Sequence, residues 1–192
     1  MSGCYRKQMT VSRANQGPRA AAGNRRALLD AARELFDQRG IDLPLVEVAR
    51  AAGVGQGVLY RHFPDRLALV FAVFEENMER LEAHAAASPM TVRDLAFEVA
   101  SGTSGIAPML SLVTQATDDP RLISLEERMR ALLDGARGRD LSSGHLRPEL
   151  SVEDLLAAMS MIAALTASTP PALRQSRVEH AWALLEKGVY AG

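Results

Sequence analysis

Along nearly the whole chain, apolar positions recur at intervals of three and four, and no stretch alternates apolar with polar as a half-buried strand would. An all-α fold follows. The first helix is expected over about Asn24 to Arg39, with Leu28, Leu29, Ala32, Leu35 and Phe36 turned inward and Gly40 ending it. Val46, Val48 and Ala49 then mark a short helix whose Glu47 and Arg50 face water, and Ala51 and Ala52 are small enough for a close crossing. Gly53 stands where that helix must stop and the chain reverse. Val54 plugs the gap between this helix and the next. Leu59 and Phe63, four residues apart, pin a second short helix inward. Gln56, Gly57, Tyr60 and Arg61 are left pointing outward, with Val58 at the flank and His62 at the end.

Start and stop signals divide the remainder. Asp65 can cap a fourth helix of about 20 residues, carrying a stripe of Leu67, Val70, Phe71, Phe74, Met78 and Leu81; it would run about 30 Å. Thr91-x-x-Asp94 and Ser151-x-x-Asp154 have the form of capping boxes with Asp in place of Glu or Gln. Asp119-Pro120 is another helix start, and Pro170-Pro171 separates the last two helices. The segment from Ser101 to Pro108 breaks the pattern, as a hinge or as a plain loop. There is no internal repeat. In all, about nine helices are expected: an N-terminal three-helix domain, followed by a C-terminal helical bundle.

Two short helices joined by a glycine turn, the second tipped with polar, aromatic and cationic side chains, have the form of a DNA-reading helix-turn-helix. Gly57 removes a side chain where a backbone would approach phosphate or base. An ordinary helical hairpin with a solvated face also fits the spacing. The segment from about Asn24 to Phe74 resembles the DNA-binding domain of TetR-type transcriptional regulators. The matching residues are Arg26-Ala-Leu-Leu-Asp-Ala-Ala-Arg-Glu-Leu-Phe36, Gly40, Val48-Ala49, Ala52-Gly53-Val54 and Leu59-Tyr60-Arg61-His62-Phe63, with Arg66 and Leu69 beyond. About a quarter of the chain carries this likeness; the rest fits by length and helical character alone. The sequence departs from the pattern in three places. Pro44-Leu45 stands where a phosphate-touching threonine is usual, Gly55 where a serine often caps the reading helix, and Val58 where threonine is common. Val58 could then offer only apolar contact to a thymine methyl. Together, motif and resemblance nominate Arg25, Arg26, Leu45, Gly55, Gln56, Gly57, Val58, Tyr60, Arg61, His62 and Arg66 as the DNA-contacting set.

Composition changes this picture little, but charge sharpens it. The 192 residues suffice for a small module and one larger bundle; at 47% hydrophobic and 5% aromatic, the core must rely on Leu, Ala, Val and Met. A net charge of −1 conceals an asymmetry: residues 1–66 hold 11 Lys+Arg against 6 Asp+Glu, residues 67–192 hold 11 against 17. The basic part contains the helix-turn-helix, as phosphate neutralisation favours. Six basic residues precede Asp30 with no acidic one among them. Residues 1–22 therefore read as a disordered basic arm, lying on DNA or simply solvated. Residues 23–66 form the DNA-binding domain and 67–192 the body. No apolar run has the length of a membrane span, the N-terminus lacks a secretory apolar stretch, and Cys4 stands alone as an exposed tail residue, so a soluble cytoplasmic protein is expected.

Enzyme chemistry finds no support. His62, His84, His145 and His180 are scattered, no zinc spacing is present, and neither a nucleophile elbow nor a phosphate loop occurs. No metal or cofactor is expected. Asp118-Asp119 and Glu126-Glu127 are neighbours that do not face each other on a helix.

One short helix reads too few bases alone, so a homodimer on a palindromic operator is expected. The last two helices, about Val152–Ala167 and Ala172–Val189, are the expected dimer surface through Leu155, Met159, Ile162, Trp182 and Leu185, unless they are core helices of a monomer. The resemblance implies the same pairing, and implies a small effector bound in the body that releases DNA. Met109, Leu112, Val113, Gln115, Leu125, Met129 and Thr166, with Leu132 and Thr114, could line a largely apolar cavity or be plain core. The fourth helix would be the lever changing the spacing of the reading heads from about 34–36 Å. The resemblance favours repression over activation. The competing class is a helical adaptor without sequence-specific DNA binding.

Overall fold

The computed structural model describes residues 17–101 and 119–189, and within them the chain is all-helical. The described residues form eight helices: α1 (Gly17–Arg39), α2 (Leu45–Ala51), α3 (Gln56–His62), α4 (Arg66–Ala87), α5 (Val92–Ser101), α6 (Pro120–Ser142), α7 (Val152–Ala167) and α8 (Pro171–Val189). The start signals act as expected. Asp65 accepts from Ala68 N at 2.7 Å to begin α4, and Asp119 accepts from Arg121 N at 2.9 Å to begin α6. At α7, Ser151 and Asp154 complete a reciprocal box, and Thr91 and Asp94 make the same exchange before α5. The first helix differs: it begins at Gly17, seven residues before Asn24, so the final residues assigned to the basic arm are helical.

Two apolar clusters hold these helices together, and their boundary does not fall at residue 66. The first joins Leu28, Leu29, Ala32 and Phe36 of α1 with Val48, Ala49, Leu59 and Phe63, and is completed by Val70, Phe71 and Phe74 of α4 and Leu122 and Leu125 of α6. The second gathers α5, the rest of α6, α7 and α8 around Leu95, Leu133, Leu155, Ile162 and Trp182. Leu81, Met129 and Leu132 pack against both. Helix α4 buries more than its expected stripe: Leu69 and Val73 are also in the core, because α1 covers one side of the helix and α6 another. A helix packed on two sides needs apolar residues around more than a single stripe.

Polar links lock the layers. Arg128 grips Glu82 with both Nε and Nη2 at 2.7 Å and also pairs with Glu75, tying α6 to α4. That bond holds the Glu82 carboxyl below its ordinary range. At the far end of α6, the buried Asp140 carboxylate accepts from Val92 N at 3.0 Å, and Arg139 donates to the Met90 carbonyl, fastening the start of α5. The chain leaves α6 through Gly144 at φ +74°, with His145 N and Gly144 N bonded back to Asp140 O and Leu141 O.

Candidate nucleic-acid interface

The turn between α2 and α3 is a Schellman ending. Gly53 takes φ +67°, Val54 N donates to Ala49 O at 3.0 Å, and Gly53 N donates to Arg50 O at 3.1 Å. These bonds satisfy the last carbonyls of α2 and redirect the chain within a few residues. Pro44 precedes the first helical residue in extended conformation (ψ 132°), where its missing N–H is not needed. Gly55 likewise precedes α3 in extended conformation and makes no side-chain cap bond.

What props α3 is apolar. Leu59 and Phe63 are almost wholly buried against Val48, Ala49 and the inner face of α1. From α1, Arg25 lies over the Phe63 ring at 5.5 Å, while the ring of the adjacent His62 is tilted against it. Gln56, Gly57, Tyr60 and Arg61 face outward as expected, Tyr60 being 51% exposed. Arg61 has no ion-pair partner among the described residues, so its charge is free to meet an external anion. Val58 and His62 are half-buried at the flanks of this surface.

The other expected contacts divide. Arg26 is 84% exposed, with Asp30 only at 3.9 Å, and stands open to solvent. Arg25 and Arg66 already have partners, Arg25 in Glu76 at 3.9 Å and Phe63, Arg66 in Asp42 at 3.2 Å. Leu45, at the start of α2, is half-buried and packs on the first core cluster. The apolar face of α2 is Leu45, Val48, Ala49 and Ala52, a spacing of three, four and seven that displaces Val46 from the stripe. Glu47 pairs with Arg39 at the surface and joins α2 to the end of α1. Arg50, exposed in the last turn of α2 and without an ion-pair partner among the described residues, is a further cation beside the turn, although periodicity marks it only as solvent face. Its place next to Gly53 was the available signal.

In the body, the expected dimer residues need correcting. Leu155, Met159, Ile162 and Trp182 are 5% exposed or less and belong to the chain's own second core; Leu185 is half-buried on it. The outward side of the same hairpin shows Met161 at 55% and Leu184 at 60%. Packing α7 against both α5 and α6 turned inward the residues that periodicity alone could not orient. Of the expected effector set, Met109, Leu112, Val113, Gln115 and Thr114 lie outside the described residues. Leu125 is core, Met129 and Leu132 bridge the clusters, and the Thr166 hydroxyl donates to Ile162 O at 2.8 Å. Among the described residues no group of His, Cys, Asp or Glu could hold a metal ion, and no helix is long and apolar enough to cross a membrane.

An exposed polar helix carried on a glycine-turned partner has the form of a helix-turn-helix. Residues 28–73 match the family described as bacterial regulatory proteins, tetR family. HTH-type transcriptional regulators of Staphylococcus aureus are 32% identical over 65 residues, 33% of this chain and 35% of theirs. The match therefore spans about a third of the length of these curated relatives. Solved structures extend the likeness to the whole fold. A TetR transcriptional regulator of Streptomyces coelicolor is 27% identical, with 86% of this chain and 98% of that chain covered and a TM-score of 0.60. A gamma-butyrolactone receptor described as ArpA-like shares the fold at 20% identity, with 89% and 90% covered and a TM-score of 0.59.

Proposed function

We propose that this protein is a DNA-binding transcriptional regulator that reads a palindromic operator as a homodimer and is released from it by a small, largely apolar effector. The observation that carries the reading is α3 itself, whose Leu59 and Phe63 are spent on the core while Gln56, Tyr60 and the unpaired Arg61 face outward. Side chains of these types reach base edges and phosphates in a major groove. Two-fold pairing is supported by the apolar outer side of the last hairpin, where Met161 and Leu184 stand exposed. The resemblance of the head to TetR-type regulators favours repression, and a fold neighbour named as a gamma-butyrolactone receptor is consistent with a small effector. Release needs the effector to favour a conformation with the reading helices displaced; moving a 1:99 population to 99:1 takes roughly 5.5 kcal/mol of differential affinity.

The test is selection of bound duplexes from a random library, with the Tyr60→Ala/Arg61→Ala protein in parallel. A palindromic consensus that disappears with the double substitution supports the reading. Weak binding that ignores sequence and both substitutions would instead mark a helical adaptor that uses this surface on protein.

A further inference from the structure

The turn between α7 and α8 meets the last turn of α1, and one side chain makes the junction. From the first turns of α8, Arg174 donates through Nη2 to the Asp37 carbonyl at 3.0 Å and pairs through Nη1 with the Asp37 carboxylate. Its Nε donates to Thr169 O at 3.0 Å, within the α7–α8 turn. Asp37 O is one of the terminal carbonyls of α1 that has no helical donor, so the guanidinium caps the helix and sets a positive charge at its negative end. Both partners are about four-fifths shielded, at 21% and 20% side-chain exposure. Shielding limits screening by salt.

We propose that Arg174 is a positioning residue that sets the angle between the reading head and the α7–α8 hairpin. Building on the DNA-reading dimer proposed above, it thereby selects the half-site spacing that the dimer accepts. A guanidinium is a planar fork, so three bonds to two separate elements fix orientation as well as distance, which a lysine ammonium would not do. The link continues into the head: Arg39, two residues after Asp37, pairs with Glu47 of α2, and α1 carries the inner wall on which α3 rests. A rotation of α8 is thus passed through α1 to both helices of the motif. The hairpin is also the proposed dimer element, so the same contact relates each head to the two-fold axis.

Two measurements on the full chain test this. In the first, duplexes carry two copies of the selected half-site, with the spacer varied one base pair at a time. The parent is expected to prefer one spacer; Arg174→Ala should flatten that preference several-fold while leaving affinity for a single half-site unchanged. Arg174→Lys, which keeps the charge and loses the fork, should flatten it as well. In the second, spin labels at Ala51→Cys and His180→Cys in a Cys4→Ser background, diluted with unlabelled protein, report the head-to-hairpin distance within one chain. Arg174→Ala should broaden the distribution, and Asp37→Arg/Arg174→Asp should narrow it again. If Arg174→Ala does not fold, Asp37→Asn, which keeps the carbonyl contact and removes the charge, takes its place. Spacer profiles and distances identical to the parent in these variants would overturn the proposal. A broadened distance in a protein that selects no DNA sequence would leave the positioning role standing and remove the DNA reading.

Discussion

Gly53 holds φ at +67°, and a Cβ built there would meet no other atom, so backbone conformation and not space dictates the residue. An alanine forced into that region costs about 1–2 kcal/mol. Gly57 is different. It has no positive φ, it lies in the first turn of α3, and a Cβ would again enter open space, so nothing within the chain requires glycine. Gly57→Ala is therefore expected to stabilise the protein by roughly 0.5–1 kcal/mol in thermal unfolding. The same change should weaken binding to the selected duplex, since the new methyl projects where a groove would approach. Loss of stability, or unchanged binding, would contradict that account. The two exposed arginines should behave differently in titrations on cognate and random DNA. Arg61→Ala is expected to cost about 1–3 kcal/mol and to relax specificity at one base position. Arg26→Ala should weaken both duplexes alike and reduce the salt slope by about 1.

Helix ends were more legible from sequence than helix faces. Asp65, Asp119, Ser151 and Thr91 cap where their residue types and spacings indicated, because a cap is a local bond between neighbours. The Asp94 carboxyl is held below its ordinary range first by the Thr91 backbone N–H and then by its hydroxyl; Asp154 is lowered first by the Ser151 hydroxyl and then by its backbone N–H. A carboxyl with a lowered pKa in the folded state contributes stability above its unfolded pKa and loses it as pH falls through the folded one. The melting temperature should thus decline as pH is lowered below about 4, the ordinary carboxylate range. Thr91→Ala should cost about 1 kcal/mol near neutral pH, and should show a shallower acid decline than the parent. Parallel acid profiles for the two proteins would contradict the role of this cap.

Helix α6, 23 residues long, spans about 34 Å and contributes Leu122 and Leu125 to one cluster, Leu133 and Ala136 to the other. Head and body consequently share a structural member and should not unfold independently. A fragment of residues 17–66 lacks Val70, Phe71, Phe74, Leu122 and Leu125, which complete its core, and is expected to show no cooperative thermal transition. The intact chain should lose head and body signals together, whether followed by Trp182 fluorescence or by DNA binding. Leu132→Ala, at the junction of the clusters, should lower both by the same amount. Besides α4, the expected lever, α6 also reaches from one cluster to the other.

Fold class, the glycine turn, the order of helices and the outward set on α3 could be read from the chain because each depends on residues within a few positions of one another. Periodicity orients a helix that has one partner, and α3 has a single buried side. It fails where a helix is covered from two directions. That is why Leu69 and Val73 were missed on α4, and why Leu155, Met159, Ile162 and Trp182 were assigned to a dimer surface when they fill the chain's own core. The packing of Leu45 on the first cluster and the pair of Glu47 with Arg39 were not legible for a related reason: α1, which supplies both partners, lies elsewhere in sequence. The bond from Arg174 to Asp37 spans 137 residues. No local pattern distinguishes that arginine from its neighbours on α8, and its meaning arises only when folding sets the last hairpin against the first helix.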